Sequence, residues 1–338
     1  MGTSVGVGSL RAVVSPRLHP VVAQGRAALE RLAVKSPQAR RVLAKVGREL
    51  TGAVDRAYAR IDYYGPGYYG EGRDPTGDRA GCSGYASYDR VSSNADVAAY
   101  VMWRNLAGAA RVLDVGCATG FVVEALRDLG LDAVGCDVSR YAVDHATRGA
   151  RGHVRVGDLL AGLPWPDGSF DVVSVLETLE HLPPDRVPAA LLELRRVCAG
   201  CVYATIPSFG PNNGAGPDGH LEGKVRPERL EHYLALGPDF DGPVAFDDLA
   251  RDSAGEPIEG HLTIASFAWW TRAFADAGFE RRPDVERRVY ADIEPAGLAP
   301  FWNVYVLSVP GVGPRLAEPR HPERSLVELG LRHPLFGG

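Results

Sequence analysis

Two stretches of this 338-residue chain carry side chains able to do chemistry. One is Glu177-Thr-Leu-Glu180-His181, which sits just beyond an apolar run. Histidine changes charge near neutrality, so His181 is a candidate general base, with Glu180 fixing its tautomer or binding substrate. Two carboxylates and an imidazole are also a donor set for a divalent ion. The other stretch runs from Val112 through Asp114, Gly116, Cys117 and Gly120 into Phe121-Val-Val-Glu-Ala-Leu-Arg-Asp-Leu129. It reads as a buried strand, a tight glycine turn and an amphipathic helix whose free amides face the turn. There the backbone can approach a bound cofactor closely, and Asp114 can accept hydrogen bonds from an ammonium or a loop amide. The nicotinamide fingerprint G-x-G-x-x-G is not met, because its glycines are not in register around Ala118.

The elements that position these residues follow in order. A second apolar strand, Leu131 to Ser139, ends in Asp137 about 20 residues after the loop, where an acid can bind both ribose hydroxyls. Ser139 caps the next helix. A third strand, His153 to Val156, leads to Gly157-Asp158, and a fourth, Phe170 to Leu176, delivers Glu177, Glu180 and His181. Alternating strands and helices of this kind make an α/β sheet.

With these residues in view, the loop resembles motif I of the class I S-adenosylmethionine (SAM) methyltransferases, [DE]-x-G-x-G-x-G, with Ala118 in place of the middle glycine. The resemblance implies a Rossmann-like sheet of seven strands whose last pair is antiparallel, SAM as cofactor and S-adenosylhomocysteine as product. It assigns Asp114, Gly116, Cys117, Gly120, Asp137, Val138, Asp158, Leu159 and Glu177 to the cofactor, with Asp158 at the adenine amino group. It predicts strands six and seven at Arg288–Ile293 and Phe301–Val309, after a helix capped by Ser266 and ended by Gly278.

Around this domain, expected over residues 92–310, lie three further regions. Residues 1–60 hold eleven Lys or Arg against three acids, and read as a basic module of two helices parted at Ser36-Pro37, a surface for another protein or a second subunit. Residues 61–91 are rich in tyrosine and glycine, and read as a lid or a linker; as a lid, Tyr64 and Tyr69 contact substrate. Residues 311–338 form a tail with no assigned role. Within the domain, a long insertion over 207–262 carries seven acids and one base between Pro238 and Gly260. An acidic rim concentrates a cationic small molecule, so Phe209, Asn212, Asp239, Asp241 and His261 are candidate substrate residues. It repels phosphates, which argues against nucleic acid. Cys198-Ala-Gly-Cys201 is a lone C-x-x-C and reads as core rather than a metal or redox pair.

The layout of basic helical module, tyrosine-rich lid and acidic insertion resembles an aminoglycoside N-methyltransferase of the gentamicin biosynthetic pathway. That resemblance implies methylation of an amino-sugar amine, with no metal required. The spacing E-x-x-E-H also resembles the metal-binding motif of small-RNA 3'-end and quinone O-methyltransferases, which makes a magnesium-dependent sugar O-methyltransferase, completed by His220 or His261, the rival. A SAM-binding scaffold without turnover is the third reading. No apolar run approaches the ~18 residues of a membrane span, and a cytoplasmic protein is expected.

Overall fold

The structure is a computed structural model that describes residues 64–69, 88–106, 111–209, 221–236, 241–252, 255–297, 303–311, 319, 327–328 and 330–336. The expected module 1–60, Asn212, His220 and Asp239 lie outside these residues.

Helix α1 (Ala95–Asn105) precedes β1 (Arg111–Val115), α2 (Phe121–Asp128), β2 (Asp132–Asp137), the short α3 (Arg140–Asp144), β3 (Val154–Val156) and β4 (Phe170–Leu176). Then come α4 (Val187–Val197), β5 (Cys198–Thr205), β6 (Ser208–Phe209), α5 (Pro227–Leu236), β7 (Ala265–Ser266) and α6 (Phe267–Asp276). The final elements are β8 (Glu280–Arg281), α7 (Pro283–Ile293) and β9 (Val304–Ser308). Seven strands form one sheet in the order β3-β2-β1-β4-β5-β9-β8. β1 to β5 pair in parallel, β9 runs antiparallel to β5, and β8 and β9 are antiparallel to each other.

Alternation along the strands builds a core on each face. In β1, Leu113 joins the cluster of Val173, Leu191, Leu194, Trp270 and Phe274, so that face is covered by α4 and α6. Its neighbour Val112 joins Met102, Val123, Leu126, Val285 and Val289, under α1, α2 and α7. Cys198 and Cys201 are buried free thiols in β5. Ser139 and Ser266 cap their helices through Ala142 N and Trp269 N, and Gly278 takes the left-handed φ of 86° that ends α6.

One strand was misplaced by sequence reading. Arg288–Ile293 is helical, the second half of α7, and the sixth sheet strand is Glu280–Arg281. Pro283 opens the helix, Asp284 and Glu286 lie in its first turn, and Val285, Val289 and Ile293, four residues apart, are fully buried. That spacing suits a helix face and not a strand.

The insertion is also more ordered than a loop. β6 and β7 pair in parallel, and Phe209, Leu221, Val225, Tyr233, Val244, Leu249 and Ile264 form a small core of their own.

The segment 330–336 is fastened to α1. Arg90, 4% exposed, donates to Asp96 Oδ1 (2.6 Å), Asp128 Oδ2 (2.7 Å) and the Gly330 carbonyl (3.2 Å). Asp96 Oδ2 accepts from the amides of Arg332 and His333, Leu331 is buried, and Phe336 meets Tyr100 edge-on. Among the described residues, no helix is long and apolar enough to cross a membrane.

Candidate active site

The turn after β1 is fixed from both sides. The Gly116 and Cys117 amides donate to the Cys136 carbonyl (2.8 and 3.0 Å), and the Ala118 amide donates to Asp137 Oδ2 (2.8 Å). The other oxygen of Asp137 accepts from the Ser139 amide (2.8 Å). Asp137 thus ties the ends of β1 and β2 together, and it remains 7% exposed at the cleft between them. Ala118 holds φ of 48°, so alanine keeps the backbone shape of the glycine it replaces at a cost of about 1 kcal/mol. Gly116 has φ of 77°, and a Cβ there would lie 2.3 Å from Thr178 Oγ1. The motif glycine is therefore demanded by a neighbouring side chain as well as by the turn.

Asp114 accepts from the Ser174 hydroxyl (2.7 Å). Burial pushes its carboxyl up to about 7; the Ser174 bond opposes the rise, and the charge of Asp137 adds to it. In an unfolded chain this acid titrates in the ordinary carboxylate range. Folding stability associated with neutral Asp114 is then complete below about pH 4 and is lost as pH rises through about 7. The melting midpoint without added cofactor is expected to fall between about pH 5 and pH 8, and to fall less in Asp114→Asn, as a thermal-shift series over pH will test.

The described part of the lid spans two regions of the site. The Tyr64 carbonyl accepts from Ser139 Oγ (2.6 Å), and the Tyr64 ring meets His181 at 5.7 Å and 90°. Tyr69 departs from its expected place beside the substrate. Its hydroxyl bonds the Ser139 side chain near Asp137, its ring stacks on Tyr141 (6.0 Å), and burial drives its phenol far above its usual range. It belongs with the cofactor loop.

Beyond β4 the chain turns sharply. Glu177 holds φ of 46°, its amide donates to the Thr205 carbonyl (2.9 Å) and its carboxyl bonds the Thr205 side chain. Burial raises this carboxyl to about 7, against the pull of Thr205 and Lys224. Leu179–His181 form a single 3-10 turn. Glu180 is fully buried, and among the described residues neither carboxylate oxygen has a hydrogen-bond partner. Burial, then repulsion from Glu177, push it well above the usual range. Its backbone carbonyl accepts from the Leu262 and Thr263 amides (2.7 and 2.9 Å), so the end of the insertion is stitched to this turn.

The insertion brings His261 to the same point. His261 Nε2 lies 3.9 Å from Glu180 Oε1 and 3.9 Å from Glu259 Oε2, and the two imidazoles meet at 5.0 Å. His181 Nδ1 is 3.2 Å from the Gly260 carbonyl, an acceptor that selects the tautomer with Nδ1–H and leaves the lone pair on Nε2. Ligand atoms of Glu180, His181 and His261 lie within 4.8 Å of one another, a spacing that could hold a metal ion. Glu177 bonds Thr205 and is not in that set.

Other expected substrate residues are not brought here. Phe209, 2% exposed, is core of the insertion, because its place on β6 turns it toward Leu221 and Ile264. Asp241 pairs with Arg272 of α6. Two further acids of the rim are neutralised: Asp248 binds the Tyr233 hydroxyl, Arg226 and Arg229, and Glu259 pairs with Lys224. Asp158 accepts from the Leu160 amide (2.8 Å), Leu159 packs in the core, and Val138 and Cys117 line the ends of β2 and β1. Sequence reading passed over Thr119, whose buried hydroxyl in the turn has no hydrogen-bond partner among the described residues, and Lys224, which only its long-range pairing reveals.

The chain is similar to known methyltransferases. A family model described as a methyltransferase domain matches residues 113–200. The probable methyltransferase ltbC of Aspergillus luteorubrus is 33% identical over 109 residues, 28% of this chain and 38% of that protein. The ubiquinone biosynthesis O-methyltransferase of Psychrobacter cryohalolentis is 34% identical over 187 residues, 50% of this chain and 69% of that protein. This chain thus spans well under half of the first relative and about two thirds of the second. Among solved structures, the PH0226 protein of Pyrococcus horikoshii is similar at 16% identity and a TM-score of 0.42, over 67% of this chain and 94% of that one.

Proposed function

The chain belongs to the class I SAM-dependent methyltransferases, and from that premise we propose that it methylates an amino group of an aminoglycoside or amino-sugar intermediate. The residues around the β1 turn suit the cofactor. The Thr119 hydroxyl, without a hydrogen-bond partner among the described residues, Asp114 and Asp137 offer polar atoms at the carboxyl ends of β1 and β2, where such sheets bind ligands. Bound SAM supplies an already activated methyl group on a sulfonium.

The protein's own task is then to orient the acceptor, exclude water and receive one proton. Glu180 is the observation that carries the reading: a buried acid whose oxygens have no hydrogen-bond partner among the described residues suits an ammonium, to which it can present a carboxylate. His181, with its lone pair on Nε2, takes the proton the nitrogen must lose before attack, and Glu180 orients that nitrogen. Asp239 stays a candidate second ammonium ligand in this proposal, whereas Asp241 is already paired.

The clustering of Glu180, His181 and His261 favours one second reading, a magnesium-dependent sugar O-methyltransferase. Those three residues would hold the ion, which would make an acceptor hydroxyl acidic enough to react. One experiment separates the readings. The protein is incubated with SAM and a panel of aminoglycosides and neutral sugars, with and without EDTA, and product mass is followed. A single methyl on amino sugars alone, with a rate unchanged within about twofold by EDTA, is expected. A loss beyond about tenfold, or gain on neutral sugars, overturns the amine reading in favour of the metal. SAM binding with no methyl gained on any acceptor would leave a scaffold.

A further inference from the structure

Residues 64–69 are fastened to the core domain at the side chain of Ser139. Ser139 Oγ donates to the Tyr64 carbonyl (2.6 Å), and the Tyr69 hydroxyl bonds the same side chain. Since the Ser139 proton is spent on Tyr64, the phenol is the donor in the second bond. The Ser139 amide in turn donates to Asp137 Oδ1 (2.8 Å). The strap is thus tied down two positions after the acid assigned to the ribose hydroxyls, an acid that is only 7% exposed.

A run of rings continues the strap from one strand end to the next. Tyr69 stacks on Tyr141 of α3 (6.0 Å, 21°) and meets Tyr88 edge-on (5.1 Å, 71°), and Tyr88 packs on Phe121 (5.8 Å, 43°). Tyr141 follows β2, and Phe121 opens α2 after β1, so the run bridges the helices that leave the two strands at the cofactor cleft. Tyr68, which the sequence did not single out, backs Tyr69 at 5.2 Å and 83°, and its amide donates to the Gly65 carbonyl (3.1 Å) to close the turn. Ring packing supplies adhesion with little direction, whereas the two bonds at Ser139 fix where the strap lies.

We propose that Ser139 is the catch of a latch: its hydroxyl holds residues 64–69 shut at the ends of β1 and β2, and the cofactor enters and leaves only when those two bonds break. The turn that recognises the ribose then also governs cofactor exchange, and Tyr69 is a gating residue rather than a substrate contact. Exchange precedes acceptor chemistry, so the latch operates with an amine or a hydroxyl acceptor alike.

Surface plasmon resonance, with the full chain immobilised and S-adenosylhomocysteine in the flow, measures exchange directly. Ser139→Gly removes both bonds, keeps the backbone amide that donates to Asp137, and costs the cap of α3 little, because glycine is tolerated at that position. Its association and dissociation rates are each expected to rise at least about fivefold, with affinity within about threefold of wild type. Tyr69→Phe leaves the cap intact and removes one bond, and its association rate is expected to rise at least about twofold. In Ser139→Gly/Tyr69→Phe protein the rates should match those of Ser139→Gly alone, since both changes act at one hydroxyl. Association rates within about 1.5-fold of wild type in both single variants, at unchanged binding stoichiometry, overturn the latch. So does a further loss of affinity when Tyr69→Phe is added to Ser139→Gly, because the phenol is then a ligand contact and not a part of the catch.

Discussion

A Glu180→Gln variant is expected to transfer methyl groups at about a hundredth of the wild-type rate or less, while binding S-adenosylhomocysteine within about twofold of wild type. Glutamine has the shape of glutamate but cannot supply a negative charge. The backbone bonds that dock the insertion here, from Leu262 and Thr263 to the Glu180 carbonyl, do not involve the side chain and survive the change. What is lost is an acid able to present a carboxylate to a bound acceptor cation, and a neighbour of His261, whose Nε2 lies 3.9 Å from Glu180 Oε1. The factor of a hundred corresponds to about 2.7 kcal/mol of transition-state stabilisation. Stability should move the other way. Burial holds the native carboxyl well above its ordinary range, so the wild type loses stability as pH rises toward and through that raised value. Glutamine removes that loss, and the variant should melt higher than wild type at about pH 8. Single-turnover rates and a thermal-shift series measure both effects. A variant within threefold of wild-type rate would exclude Glu180 from the reaction.

Gly116→Ala should be the most damaging single change to the cofactor loop. It forces a side chain into a backbone of φ 77° and sets a Cβ 2.3 Å from Thr178 Oγ1 and 2.7 Å from Thr178 Cγ2. Left-handed strain and overlap in a packed site each cost about 1–3 kcal/mol, so a loss of about 2–5 kcal/mol in stability is expected, with cofactor affinity falling more than about tenfold. A double variant isolates the overlap. Thr178→Ala removes both clashing atoms, and in the Gly116→Ala background it should recover about half of the lost stability, since the backbone strain remains. Denaturant melts of the four proteins give the answer. No recovery would mean that the turn alone, and not Thr178, requires glycine.

The parts of this molecule that could be read from its sequence are those governed by local rules. β1, the glycine turn and α2 declare themselves through apolar residues, glycine and helix period within a few positions, and the caps at Ser139 and Ser266 do the same. Glu180, His181 and His261 are candidates by residue type, but their meeting depends on the backbone bonds from Leu262 and Thr263 to Glu180, about 80 residues apart. Charge was the weakest guide. Seven acids in the insertion suggest an open negative rim, yet Asp241, Asp248 and Glu259 take their partners from α6, from Arg226 and Arg229 beside or on α5, and from Lys224. Arg288–Ile293 failed for a related reason: six residues cannot distinguish alternation from a helix face whose anchors, Val285, Val289 and Ile293, begin outside the window. Tyr68 lay in plain sight among neighbouring tyrosines, without a periodicity to rank it.

Asp96 bears on the order in which this protein can be made. Its carboxylate is completely buried, and it is shared between Arg90, six residues upstream, and the amides of Arg332 and His333, 236 and 237 residues downstream. During synthesis, α1 and the strands behind it emerge long before those amides exist, so the growing chain holds an incompletely paired acid where the finished fold has a closed knot of hydrogen bonds. The methyltransferase sheet can therefore assemble in outline on the ribosome, but its first helix is locked only when residue 333 arrives. Until those amides arrive, α1 lacks part of the hydrogen bonding that holds it in the finished fold.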